Sequence, residues 1–243
     1  MTVAKAMIFQ TGVLRTQALP HRPSPTLFFF PGLQSMPVWD YALCEKRFPW
    51  FPIIQQPDVV AKLREEHDEL VRVVPNDYST RDESRDGGEH KMHTGDWSWR
   101  TYVSKGKRKE SFAAACPHTA GLLDNVVGSD LMTDTPFSFA FFSTLHGESA
   151  IAPHAAPCNL RLRVHLPLST PPGAGVDECG MRVGAVQCAW NVGESVIFDD
   201  SYEHETWNKT RTDRVVLLFD VWHPDLSLAE RLAIVEMFDS MKK

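Results

Sequence analysis

The sequence contains no CxxC pair, no GxSxG, no glycine-rich phosphate loop and no internal repeat. These absences exclude a zinc ribbon, a thioredoxin-type redox site, an α/β-hydrolase nucleophile and a P-loop nucleotide site. The five cysteines, Cys44, Cys116, Cys158, Cys179 and Cys188, are odd in number and scattered, which fits reduced thiols rather than a disulfide framework. Hydrophobic runs are short. The greasiest, Leu27–Pro31 and Val215–Phe219, are strand-sized and far from the roughly 18 residues of a membrane span. The N-terminus has no sustained apolar stretch ahead of a cleavage site. Positive charge is in deficit too, with a formal net charge of −6. That argues against nucleic acid, whose binding depends on neutralising phosphates, and against anionic membrane surfaces. The expectation is a soluble, cytoplasmic protein.

What is present is an ordinary globular composition. The 243 residues are 43% hydrophobic and 23% charged, enough to bury a core without covalent staples. The chain reads as one domain over 1–243, in three stretches: a proline-rich and helical wrap over 1–130, a β core over 131–225 and a C-terminal helix over 226–243. Prolines in LFFFPGLQSMPVWD and KRFPWFPII predict extended segments over residues 1–56. A helix is expected over 57–75, capped by Asp58, with Val59, Leu63, His67, Leu70 and Val71 near helical spacing. Another is expected near 112–125, interrupted at Pro117. The polar stretch 76–96 predicts a surface loop and a candidate lid.

Beyond it, PFSFAFFSTLH, LRLRVHLPLS, GMRVGAVQCAW, ESVIFDDS, HETWN and DRVVLLFDVWH read as short strands separated by turn residues. That pattern predicts a barrel or double-sheet sandwich. A last helix over about 227–241 opens on a Ser227/Glu230 capping box, with Leu228, Leu232, Val235 and Phe238 as its apolar face.

The stretch Leu160–Leu168 invites a chemical reading. Alternation puts Arg161, Arg163 and His165 on one face and Leu160, Leu162, Val164, Leu166 and Leu168 on the other. Either the basic face points to water, or it lines the inside of a barrel and binds an anion, for which the forked guanidinium is suited. The pattern alone leaves both open. His154 falls in a short loop leading into this strand, and His204 lies between two strand-like runs. Two histidines on adjacent barrel strands can offer neutral imidazoles to one metal ion. Arg214 opens the strand RVVLLFDVW.

On PHAAPCNLRLRVHLPL (Pro153–Leu168), FDDSYEHETWNKTRTDR (Phe198–Arg214) and DVWHP (Asp220–Pro224), the chain resembles the aspartyl/asparaginyl β-hydroxylases, iron(II)- and 2-oxoglutarate-dependent oxygenases. WSWRTY and CPHTAGLL match more loosely, and the likeness runs from FFPGLQSMPVWD to VWHPDL. The resemblance implies a mainly β fold with flanking helices, built on a double-stranded β-helix (a cupin-like jelly roll). It implies His154 and His204 as iron ligands. It also implies that Arg214 and Ser143, with His165 and Trp99 beside them, hold the cosubstrate 2-oxoglutarate; a His followed ten residues later by an Arg is a spacing such oxygenases use. Arg161 and Arg163 would hold a substrate carboxylate. The implied reaction is O2-dependent hydroxylation of an aspartate- or asparagine-like C–H position in a small molecule or peptide carrying a carboxylate.

Most mononuclear iron sites of this kind add a carboxylate two residues after the first histidine. Here that position is Ala156. The resembled family has glycine there, so the absence agrees with the resemblance. The open position leaves an iron/2-oxoglutarate halogenase as an alternative. A cupin-type metal-binding module without oxygenase activity is the alternative from another class.

Other residues read as structural. Asp199 and Asp200 are expected to make turn and backbone hydrogen bonds, with a supporting role toward a histidine. His223 is expected to close a strand, His90 and His93 to be solvated loop residues, Cys158 to be an idle thiol and the tryptophans to pack.

Overall fold

Period-two sequence in the second half of the chain becomes two facing antiparallel sheets. The computed structural model describes residues 9–10, 21–79 and 93–240. Ahead of the β-rich half lie β1 (Phe9–Gln10), β2 (Phe28–Phe29), β3 (Val38–Trp39), β4 (Tyr78–Ser79), β5 (His93–Thr94), β6 (Trp97–Ser104) and β7 (Lys107–Arg108). Eight strands follow: β8 (Phe139–Leu145), β9 (Ser149–His154), β10 (Arg161–Ser169), β11 (Cys179–Val183), β12 (Val186–Ala189), β13 (Val196–Phe198), β14 (His204–Asn208) and β15 (Arg214–Trp222).

One sheet runs β3-β13-β10-β15-β8-β6-β4, with β7 on β6, and the other runs β12-β11-β14-β9-β5. From β8 to β15 the chain passes back and forth between the sheets. This is the double-stranded β-helix, or jelly roll, that the resemblance implied.

Helices pack against the strands, five of them through one core and the last through a separate one. They are α1 (Tyr41–Arg47), α2 (Phe51–Ile54), α3 (Pro57–Val73), α4 (Glu110–Ala115), α5 (Pro117–Gly121) and α6 (Leu228–Ser240). Leu162, Val164, Leu166 and Leu168 of β10 and Val215, Leu217, Phe219 and Val221 of β15 share one core with Leu63 and Leu70 of α3 and Phe112 of α4. A second core lies between the sheets, where Val216 and Leu218 meet Phe141, Met181, Val183, Trp190 and Phe198. Strand β15 is buried at all nine positions because both of its faces are covered. The leucine face of β10 therefore packs outward under helices, and Arg161, Arg163 and His165 point into the barrel. Pro167 has no N–H for the ladder, and the β10–β15 register shifts between Pro167 and Ser169.

Several local expectations change. Residues 1–56 are not only extended: α1 forms with Asp40 as its cap, its carboxylate accepting from the Leu43 N–H at 2.8 Å. Helix α3 begins at Pro57, whose missing N–H costs nothing at a first turn, so Asp58 sits inside that turn and Gln56 is the cap. Its buried line is Val60, Leu63, His67 and Leu70, and Val71 is exposed. The interruption at Pro117 is present, with α4 ending at Ala115 and α5 starting at Pro117. Strand β6 was not foreseen, yet it pairs along β8 from Trp97↔Leu145 to Ser104↔Phe139. The ends of the polar 76–96 stretch are strands, β4 on β6 and β5 on β9, and its residues 80–92 lie outside the described residues. Among the described residues no helix is long and apolar enough to cross a membrane.

Helix α6 keeps its capping box, in which Ser227 Oγ donates to Glu230 at 2.7 Å. Its buried face, however, is Ile234, Met237 and Phe238, while Leu228 and Leu232 are 68% and 61% exposed. The aromatic seat made by Phe28 and Phe137, 5.8 and 5.2 Å from the Phe238 ring, sets that rotation. Phe238→Ala is therefore expected to cost about 3–5 kcal/mol, whereas Leu232→Ala stays within about 0.5 kcal/mol. Urea unfolding of the two variants checks this, and equal losses would contradict it.

Candidate active site

The site forms where β9 and β14 lie side by side. His154 ends β9, rather than sitting in a loop before β10, and is the cross-strand partner of His204 at the start of β14. The two rings approach with centroids 4.1 Å apart. Each Nδ1 contacts a carbonyl oxygen two residues earlier, Ala152 for His154 and Tyr202 for His204, both at 2.9 Å. A carbonyl only accepts, so both Nδ1 atoms carry the proton and Nε2 is the lone-pair nitrogen on each ring. Burial lowers the pKa of His154, against the pull of its backbone hydrogen bond. Burial, reinforced by His154, pushes His204 down to about 3. Two neutral imidazoles of fixed tautomer are the donor set a divalent transition metal uses. Among the described residues no third His, Cys, Asp or Glu completes a group with them, and Ala156 donates its N–H to the Asp200 carbonyl.

Deeper in the barrel, Arg214 is 1% exposed and forms no ion pair with an acid among the described residues. Its guanidinium lies 4.5 Å from the Trp190 ring centre, and its Nε and Nη1 have no hydrogen-bond partner there. Burial lowers its pKa to about 10. His165 lies between this arginine and the histidine pair. Its ring is 6.1 Å from Trp190 and 5.0 Å from Phe198, which is in turn 5.6 Å from His204. Neither His165 nitrogen has a partner among the described residues, and burial, with Arg214 adding to it, holds its pKa well below the usual value. Ser143 is buried on β8 and accepts from Trp97 Nε1 at 2.9 Å, so its own O–H remains to donate. Trp99 stacks on Tyr78, with centroids 3.7 Å apart, and lines the outer cavity.

Arg161 and Arg163 do face inward, but toward aspartates. Arg161 Nη2 donates to Asp200 Oδ2 at 2.6 Å and its Nη1 to Asp220 Oδ2 at 2.9 Å. Arg163 Nε donates to Asp220 Oδ1 at 2.8 Å, and its Nη1 lies 3.3 Å from Asp200. Two cations and two anions thus neutralise one another in the interior, leaving no spare charge for a substrate carboxylate. Asp200, expected to serve its turn, is the hub of this cluster. Burial works to raise its pKa, but the Arg161 and Arg163 charges outweigh that and hold it at about 2. Asp199 does serve the turn, accepting from the Ser201 N–H and Oγ, and burial raises it to about 7.

Sequence reasoning passed over Asp220, Trp97 and Trp190. Asp220 shared a parity with Arg214 along β15, so its inward orientation was open to inference. Trp190 carried no such signal.

His223 Nε2 donates to the Gln34 carbonyl oxygen (2.9 Å) just past β15, and Cys158 is a buried thiol whose pKa burial pushes up to about 12. His93 is not a solvated loop residue: it belongs to β5, with its ring 4.8 Å from Trp97 at the cavity wall. His90 lies outside the described residues.

A cavity of about 550 Å³ opens over the histidine pair, lined by Tyr78, Trp97, Trp99, Phe141, Arg163 and Asp200 among others. The family model for aspartyl/asparaginyl β-hydroxylases matches residues 59–224. The human aspartyl/asparaginyl β-hydroxylase is 33% identical over 60% of this chain and 18% of its own length. An ornithine lipid ester-linked acyl 2-hydroxylase from Rhizobium tropici is 32% identical over 79% of this chain and 62% of its own. The chain thus spans less than two thirds of these relatives. A solved oxidoreductase of the 2OG-Fe(II) oxygenase family from Burkholderia pseudomallei aligns over 65% of this chain and 78% of its own, at 15% identity and a TM-score of 0.46.

Removing one partner of a buried ion cluster leaves the others uncompensated, so Asp220→Asn is expected to lower stability by about 3–5 kcal/mol. A pH dependence follows from Asp200. Its folded pKa of about 2 lies below the ordinary carboxylate value, so its contribution is full above about pH 4. It is lost as pH falls through about 2. Denaturant midpoints between pH 6 and pH 2.5 should fall steeply in the wild type and less in Asp200→Asn. Parallel acid limbs would contradict the assignment.

Proposed function

We propose that this chain, which belongs to the aspartyl/asparaginyl β-hydroxylase family, is an iron(II)- and 2-oxoglutarate-dependent dioxygenase that hydroxylates a C–H position in a small molecule or peptide. The observation that carries this is the buried Arg214, with Nε and Nη1 unpartnered among the described residues, inside the same barrel as two histidines whose rings lie 4.1 Å apart and whose Nδ1 atoms are both held by carbonyls. A buried cation without a counter-ion is costly and gains most from a carboxylate that meets it bidentately. A metal-binding module without a dicarboxylate partner has no use for such a charge.

The residues present fit the groups this reading requires. His154 and His204 would hold the metal through Nε2. Arg214 and the Ser143 hydroxyl would hold the far carboxylate of 2-oxoglutarate, with the unpartnered His165 beside it. Iron(II), 2-oxoglutarate and O2 together would supply an oxidant able to insert oxygen into an unactivated C–H bond. The protein's own contribution is position and dryness. The Ala152 and Tyr202 carbonyls fix the imidazole tautomers, Phe198 and Trp190 pack against His165, with Trp190 also against Arg214, and Trp97 orients the Ser143 hydroxyl. No nucleophile or general base is needed. The relatives' names place the hydroxyl on an amino-acid side chain in one case and on an acyl chain in the other, so the reaction is better supported than any one substrate.

Anaerobic addition of iron(II) and then 2-oxoglutarate is expected to raise a metal-to-ligand charge-transfer band in wild-type protein. His154→Ala and His204→Ala should each abolish it. Losing the charge partner costs about 2–5 kcal/mol, so Arg214→Ala should weaken 2-oxoglutarate about thirtyfold or more. A folded wild type that gives no band would leave the cupin-type binding module standing instead.

A further inference from the structure

The oxygenase reading says where oxygen is delivered but not what receives it, and the cavity over the histidine pair bears on that. Its wall on the β6–β8 side is a continuous aromatic surface. Tyr78 and Trp99 are stacked at 3.7 Å, Trp97 meets Trp99 at 4.5 Å, and Phe141 meets Trp99 at 5.5 Å. Ile151 of β9 adds an aliphatic contact beside it.

Opposite stand the two arginines that a carboxylate-bearing substrate would call on, and they are already neutralised. Arg161 is 3% exposed and shared between Asp200 and Asp220, while Arg163, 15% exposed at its side chain, is ion-paired with both. Lys109, farther out, is paired with Asp77 at 2.7 Å. Among the described residues lining the cavity, a lysine or arginine without an ion-pair partner occurs only at the rim, on exposed Lys105.

A carboxylate next to Asp200 would meet a like charge with no free cation to offset it, and an anion here would have to displace an aspartate from its arginine. An apolar group would bury against four aromatic rings at no electrostatic cost. Arg163 still has N–H directions not committed to the aspartates, since a guanidinium carries five donors. A neutral carbonyl can accept from these without disturbing the charge balance.

Resting on the oxygenase reading for the chemistry, we propose that the substrate presents an uncharged apolar group, aromatic or acyl, against the Tyr78/Trp97/Trp99/Phe141 wall. A neutral amide or ester carbonyl faces Arg163, and no side-chain carboxylate lies beside the reacting carbon. This replaces the substrate carboxylate that the family resemblance implied for Arg161 and Arg163.

The test is ligand binding read without turnover. Full-length protein, alone and with iron(II) and 2-oxoglutarate under anaerobic conditions, is titrated with three probes: phenylalaninamide, octanamide and N-acetylaspartate. Tryptophan fluorescence reports on the wall, and the charge-transfer band reports independently on the metal and cosubstrate. At least one apolar amide is expected to bind tenfold or more tightly than N-acetylaspartate. Tyr78→Ala should weaken it at least tenfold while leaving the charge-transfer band in place.

Preference for phenylalaninamide would assign an aromatic substrate, and preference for octanamide an acyl one. Tyr78→Phe, which keeps a ring, should retain most of the binding and guards against misfolding of the alanine variant. Tighter binding of N-acetylaspartate, or no binding of either amide, overturns the proposal. If the band is intact, the oxygenase reading survives that result. Loss of the band in wild type, with amide binding retained, sinks the oxygenase reading and not the apolar site.

Discussion

The interior organisation follows from one constraint, that a jelly roll with arginines on an inward strand face must find counter-charges for them or leave room for an anion. This protein does both within one barrel. At the level of Arg161 and Arg163, Asp200 and Asp220 close the balance from inside. At the level of Arg214 they do not, and the charge is left facing the Trp190 ring. The contrast separates a neutralised internal cluster from a buried cation that has no ion-pair partner among the described residues.

The scaffold makes that contrast possible. Strand β10 packs its leucines outward under α3 and β15 is covered on both faces, so the β15 side chains between the sheets are buried. In that environment an unpaired charge is expensive and a tautomer set by one hydrogen bond persists. The histidine pair uses this. Cross-strand pairing of β9 with β14 sets the distance between the rings, and the Ala152 and Tyr202 carbonyls choose which nitrogen is left. The geometry of the histidine pair is thus an outcome of strand register and backbone acceptors, and among the described residues no third His, Cys, Asp or Glu completes a group with it.

Much of this was legible in the residues. Period-two runs located β8, β10, β14 and β15, and the motifs around His154 and His204 carried the family. The direction of the Leu160–Leu168 faces was not legible, because an amphipathic strand looks the same whether its charged side meets water or a barrel interior; the helices that decide it come from far earlier in the chain. Arg161 and Arg163 were read as ligand-binding because their partners sit 39 and 57 residues away, on two other segments. The α6 face was misjudged for a similar reason, since Leu232 and Phe238 both fit a helical period and only the Phe28/Phe137 seat distinguishes them. Strand β6 escaped notice because its neighbours are polar and its own Trp-Ser-Trp-Arg alternation is short.

Thermal unfolding of wild type and Arg214→Met, each with and without 2-oxoglutarate and without metal, tests the unpaired charge most directly. Removing an uncompensated buried cation should leave the ligand-free variant as stable as wild type or more so. Adding 2-oxoglutarate should raise the melting temperature of wild type only. A variant several degrees less stable without ligand, and still stabilised by 2-oxoglutarate, would mean that Arg214 is a structural cation and that the dicarboxylate binds elsewhere.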